Sequence, residues 1–165
     1  MLSKTMSKLT LYQIADVTRE SGNHFLKIEM KDGQDLILIG RWDDKHLIDR
    51  QISSSIVGKA ISRLHAFIER TNDEFYLSDL SKSGTYINHR RVDKRTQLKP
   101  HDLVFFGHPK GGEIRPGEPI GQYFWDLKYV VMIESSEVKS DQETEFWKVL
   151  SECFEVIHGP RYMQQ

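Results

Sequence analysis

Short apolar runs of strand length recur along most of the chain, and no other feature constrains the fold as tightly. LHAFIE, EFYLSDL, GTYINHRRV, HDLVFFG and YFWDLKYVVMI are each rich in aromatic or β-branched residues, and each is closed off by polar or Gly-bearing connections. Strands at this spacing predict an all-β sandwich or barrel, because each can bury a face only against a second sheet. Upstream, HFLKIEMKDGQDLILIGR holds two further runs around Asp32-Gly33, a dipeptide that supplies the positive backbone angles of a two-residue hairpin. KLTLYQIADV is a candidate first strand, with a helix as the other reading of its length. A chain of 165 residues with 38% hydrophobic content suits one core.

A helix is expected only near the end. In DQETEFWKVLSECFEVI, Phe146, Val149, Leu150, Cys153, Phe154 and Ile157 recur three and four apart, which places them on one face of a helix over about 141–158. Asp141 suits the N-cap, and Glu143 and Glu145 suit the positive end of the helix dipole. The favoured reading packs this face on the sandwich; Trp147, off the stripe, keeps open a helix that joins two copies into a homo-oligomer or holds a partner. The expected division is a sandwich domain over 8–135 and an extension over 136–165.

Several functions are disfavoured on composition. No apolar run approaches the roughly 18 residues that span a bilayer, and the first residues lack the apolar stretch of a signal peptide, so no membrane partner is expected. Cys153 is the one cysteine, so there is no internal disulfide framework. Together these predict an intracellular protein, cytoplasmic, or nuclear if eukaryotic. The segment GHPKGG lacks the lysine-serine or lysine-threonine ending of a phosphate-binding P-loop, and the seven histidines are scattered without close ligand spacing. No cofactor or metal is therefore expected. Ser62 and His65 lie three apart where a strand begins, which points them to opposite faces and argues against a nucleophile and base, hence against an enzyme.

Charge is unevenly spread although the net charge is -1. Residues 41–65 and 79–95 carry ten lysines and arginines against five acids, a surplus of five positive charges, while 113–165 carries five against ten. The aromatics fall within strand runs rather than on an exposed face, so a nucleic-acid partner is not expected. The basic run Arg90, Arg91, Lys94 and Arg95 reads as a solvated face able to steer an anionic peptide. The polar residues that break the strand pattern belong to connections: Arg41 closes ILIGR, Ser62, Arg63 and His65 open LHAFIE, and Ser81 to Thr85 lie between two more strands. If one end of the sandwich gathers them, two guanidiniums, an ammonium and several hydroxyls meet near Gly84. That set suits a phosphorylated side chain, with its charge of about -1.5 to -2 and three acceptor oxygens.

IGR, then SRLH, then DLSKSGTYIN resembles, in order and spacing, the forkhead-associated (FHA) domain family. The resemblance covers roughly residues 25 to 108. It implies a two-sheet β-sandwich of about eleven strands that recognises phosphothreonine in partner proteins through loops at one end. By motif position, Arg41 and Ser62 would hold the phosphate, Arg63 would flank it, and Lys82 and Ser83 would lie beside the peptide. Gly40, His65, Gly84, Thr85 and Asn88 would support the site, with His65 bracing the loop from behind. The family usually has Asn-Gly where this chain has Ser83-Gly84. Serine offers one donor in place of an amide, and losing one neutral hydrogen bond costs about 0.5 to 1.5 kcal/mol. Two functions follow: a phosphothreonine-dependent recognition module whose partner is a Ser/Thr kinase substrate, or a phosphate-independent scaffold on the same fold.

Overall fold

The computed structural model describes residues 6–14, 27–41, 48–54, 60–121, 126–135 and 148. Eleven strands stand among them: β1 (Lys8–Gln13), β2 (Lys27–Glu29), β3 (Leu36–Gly40), β4 (Arg50–Gln51), β5 (Ala66–Thr71), β6 (Glu74–Asp79), β7 (Thr85–Ile87), β8 (Arg90–Arg91), β9 (Thr96–Gln97), β10 (Leu103–Phe106) and β11 (Lys128–Glu134). A short 3-10 turn occupies Gly111–Glu113. The strands form a six-stranded sheet in the order β2-β1-β11-β10-β7-β8 and a five-stranded sheet in the order β4-β3-β5-β6-β9. KLTLYQ is thus a strand, pairing antiparallel along its whole length with β11. The helix expected over 141–158 lies outside the described residues except at Lys148. Among the described residues, no helix is long and apolar enough to cross a membrane.

Alternation builds the core. Leu9 and Leu11 of β1, Ile37 and Ile39 of β3, Ala66 and Ile68 of β5, Phe75 and Leu77 of β6, and Tyr129 and Val131 of β11 recur every second residue. They meet between the sheets in one buried cluster. Each buried leucine, isoleucine, valine or phenylalanine among them contributes about 1.5 to 3 kcal/mol of transfer free energy. Phe106 fixes the cluster at the site end, edge-on to Tyr129 at 5.5 Å between ring centroids.

The structure corrects the hairpin expected at Asp32-Gly33. The turn forms, with Gly33 at φ 79 and the Gln34 amide donating to the Lys31 carbonyl at 3.0 Å. Its flanking strands do not pair with each other, because β2 joins β1 in one sheet while β3 joins β5 in the other. The dipeptide specifies a reversal, and the turn carries the chain across the sandwich. Two-residue hairpins occur instead at Asn72-Asp73, with φ 53 and 61, and at Asn88-His89, with φ 50 and 64. Both pairs occupy the left-handed region that the right-handed twist of paired strands requires.

Candidate functional site

Three connections far apart in sequence meet at one end of the sandwich, and hydrogen bonds join them. Where β3 ends, the Arg41 amide donates to the Ser62 carbonyl at 2.9 Å, and the Ile52 amide reaches the Gly40 carbonyl at 2.8 Å. Only glycine fits at position 40: a Cβ there would lie 1.9 Å from the Arg63 carbonyl oxygen. The β3 end and the segment 61–65 are therefore in backbone contact. From the third connection, residues 80–84, the Lys82 amide approaches the Ser62 hydroxyl oxygen at 3.4 Å. Leu80 is held more firmly, its amide donating to the His65 carbonyl at 2.9 Å.

His65 locks this junction. Its ring is fully buried, edge-on to Phe106, with ring centroids 5.9 Å apart. Nδ1 accepts the Ser62 amide at 3.1 Å, and Nε2 lies 2.9 Å from the Gly84 carbonyl oxygen. A ring that accepts at Nδ1 and faces a carbonyl at Nε2 is neutral and carries its proton on Nε2. Burial lowers its pKa from the usual histidine value, aided by the nearby Arg91 guanidinium and opposed by the Gly84 carbonyl and Asp79. The imidazole meets the backbone of Ser62, not its hydroxyl.

The connection 80–84 is an internally bonded turn. Asp79 Oδ1 accepts from the Ser81 amide at 3.0 Å, the Ser81 hydroxyl at 2.6 Å and the Thr85 hydroxyl at 3.0 Å. The Ser81 hydroxyl oxygen in turn accepts the Gly84 amide at 2.7 Å. Gly84 has φ +96, and a Cβ there would stand 2.6 Å from the Tyr86 hydroxyl. That hydroxyl donates to the Ser83 carbonyl at 2.7 Å, and burial pushes the phenol's pKa up to about 12.

Arg41, Arg63 and Lys82 are exposed at this end and Ser62 is partly exposed. Among the described residues, no carboxylate closes an ion pair on Arg41. Gly40, His65, Gly84 and Thr85 are buried beneath them. Two residues stand differently from their expected places. Ser83 is only 7% exposed, and its hydroxyl donates to the Ala60 carbonyl, so its one hydrogen is engaged inside the protein. Asn88 lies in the β7–β8 turn, where its side chain donates to Asp102 and accepts the Leu103 amide, both at 2.9 Å. It ties that turn to β10, and among the described residues its side chain makes no hydrogen bond to the three connections.

The basic run is not a solvated face throughout. Arg90 donates to the Gly117 carbonyl at 2.6 Å, and Arg95 pairs with Glu69, bonds Thr71 at 2.9 Å and lies 3.7 Å over the Tyr76 ring. Arg91 turns inward, onto the Gly111 carbonyl at 2.7 Å and the Ile114 carbonyl. Sequence reasoning assigned no role to Asp79 or Gly111, and it placed Arg91 only in a solvated, steering face. An Asp-x-Ser turn pattern at 79–81 was the one available signal; nothing separates Arg91 from its neighbours in a basic run.

The two sheets thus carry these joined connections, with their exposed cations, at one end of the sandwich. The family model for the FHA domain matches residues 37–107, and the chain carries an FHA domain over this span. Among curated proteins, "Germ layers disorganized gldi-3" of Caenorhabditis elegans is 46% identical over 59 residues, 32% of this chain and 6% of that protein. "Protein FraH" of a Nostoc species is 31% identical over 84 residues, 49% of this chain and 29% of that protein. The chain therefore spans less than a third of either relative. A solved FHA domain, described in a study of phosphothreonine-dependent FHA domain interactions, has the same fold. Its TM-score is 0.50 at 20% identity, covering 77% of this chain and 97% of that one.

Proposed function

We propose that this chain is a phosphothreonine-dependent protein-recognition module that acts by binding, not catalysis. Arg41 and Ser62 hold the phosphate, Arg63 flanks it, and Lys82 adds a cation from the neighbouring loop. Ser83 serves this site by anchoring its loop to Ala60, and Gly40, His65, Gly84 and Thr85 hold the frame. The observation that carries this reading is the junction itself: the Arg41 amide on the Ser62 carbonyl and the Lys82 amide on the Ser62 hydroxyl draw three exposed cation-bearing loops around one hydroxyl. A dianionic phosphate meets such a set through charge-assisted hydrogen bonds, each stronger than a neutral one. The domain extends over 8–135, with 136–165 as an extension, and the partner is an intracellular protein phosphorylated on threonine.

The test is a calorimetric titration of a degenerate phosphothreonine peptide library, with unphosphorylated and phosphoserine libraries as controls, against wild type and Arg41→Ala. Phosphothreonine-selective binding that disappears on the substitution is expected. A folded wild type that binds nothing at concentrations well above the micromolar range, where binding is worth about -8 kcal/mol, defeats the reading and leaves a phosphate-independent scaffold.

A further inference from the structure

Three successive carbonyls of the 80–84 connection, those of Lys82, Ser83 and Gly84, each meet a donor. The Gly84 carbonyl faces His65 Nε2 and also accepts the Gly107 amide at 2.9 Å, and the Ser83 carbonyl accepts the Tyr86 hydroxyl. The Lys82 carbonyl lies 3.4 Å from Arg91 Nη2. That guanidinium is deeply placed, its side chain 10% exposed, with Nη2 also 3.7 Å from Asp79 Oδ2. Its Nη1 reaches the other way, to the carbonyls of Gly111 and Ile114 at either side of the 3-10 turn. The two segments it joins are already pressed together: a Cβ on Gly111 would lie 1.9 Å from the Ser83 carbonyl oxygen.

We propose that Arg91 is a positioning residue of the phosphopeptide site, clamping the 80–84 connection to the 108–114 segment so that Lys82 keeps its place beside Ser62. The ligand in this inference rests on the proposed function; the clamp does not. An arginine suits the task because its planar fork directs donors to several carbonyls at once, whereas a lysine is a single point of attachment. Arg91 itself makes no phosphate contact, being turned onto backbone and Asp79. Its effect on affinity is therefore indirect, through the order of the loop that carries Lys82, and this separates it from Arg41.

Hydrogen exchange of the ligand-free protein, followed by titration of the same phosphothreonine library at low and high salt, tests the clamp in Arg91→Met and Arg91→Lys. In Arg91→Met, exchange at the Lys82, Gly84 and Ile114 amides is expected to rise about tenfold more than at the core amides of Ile68 and Leu77, as local opening requires. Library affinity should fall by about tenfold with its salt dependence unchanged, since no phosphate-facing charge is lost, whereas Arg41→Ala should flatten that dependence. Arg91→Lys should fall between wild type and Arg91→Met, and it carries the measurement if the methionine variant does not fold. Exchange at Lys82 and Gly84 that rises no more than at Ile68 and Leu77 overturns the inference. So does a loss of affinity accompanied by a flattened salt dependence, which would put Arg91 on the phosphate. A wild type that ignores the library defeats the proposed function alone, because the exchange result still decides the clamp.

Discussion

The chain carries two groups of basic residues that look alike on paper and differ in space. At the loop end, Arg41, Arg63 and Lys82 are exposed, standing on connections whose backbone groups are bonded beneath them. Along the β7–β8 ribbon and beyond, Arg90, Arg91 and Arg95 direct their guanidiniums onto carbonyls, carboxylates and an aromatic ring. Arg41 and Lys82 of the first group are presented by the fold, whereas the second group is part of the fold. A steering role for the basic run is correspondingly reduced, because a charge already closed on Glu69 projects little field. The lesson is that local charge counts do not identify a binding surface; what matters is whether the backbone beneath each cation is satisfied without it.

This contrast makes different demands on substitution, and the deepest frame residue should show the largest effect. His65→Ala removes both ring contacts of the junction, orphans the Ser62 amide and opens a cavity beside Phe106. A loss of about 3 kcal/mol is expected, measured as a lowered urea midpoint. A change below about 0.5 kcal/mol, the range of ordinary surface substitutions, would show that the junction does not depend on the imidazole.

The same ring gives the frame a pH signature. His65 has a folded-state pKa below its unfolded value, chiefly because it is buried. Its contribution is therefore fully present above the unfolded value of about 6.5 and is lost as pH falls below it toward the folded pKa, with a slope of at most about 1.4 kcal/mol per pH unit. His89 and His108 are also lowered by burial and act in the same direction. The difference in slope between wild type and His65→Ala, from urea melts between pH 7 and 5, isolates His65. Parallel slopes would mean that the imidazole is not held neutral. Smaller again, Arg95→Ala should cost about 1 kcal/mol, the sum expected of an exposed ion pair and a cation-π contact, and it should leave peptide affinity unchanged.

Much of the fold was legible because its signal is local and repeated. Apolar residues every second position in LHAFIE and EFYLSDL leave one solution, a half-buried strand, and enough of these require two sheets. The ordered motifs around Arg41, Ser62 and Gly84 marked the three connections that meet. What failed to show was long-range choice. Asp32-Gly33 sets two backbone angles, and nothing in it says whether the strands it links will share a sheet. Ser83 reads as a loop hydroxyl until Ala60 is found within reach, and Arg91 reads as one cation among four until Gly111 and Lys82 converge on it. Short β4 and β9, two residues each, carry too few positions for a periodic pattern to register.

The smallest effect on stability should come from Arg41, and it sharpens the comparison most. Its backbone is engaged with Ser62, yet its side chain is exposed, and among the described residues it makes no ion pair. Arg41→Ala keeps the amide and so keeps the contact between β3 and the Ser62 segment. Stability should therefore stay within about 0.5 kcal/mol of wild type, while affinity for the phosphothreonine library is lost. A residue that matters greatly for binding and hardly at all for folding is one the frame presents without using. If Arg41→Ala instead destabilises the protein as much as His65→Ala does, the guanidinium belongs to the frame, and the division between presented and structural cations fails at its central residue.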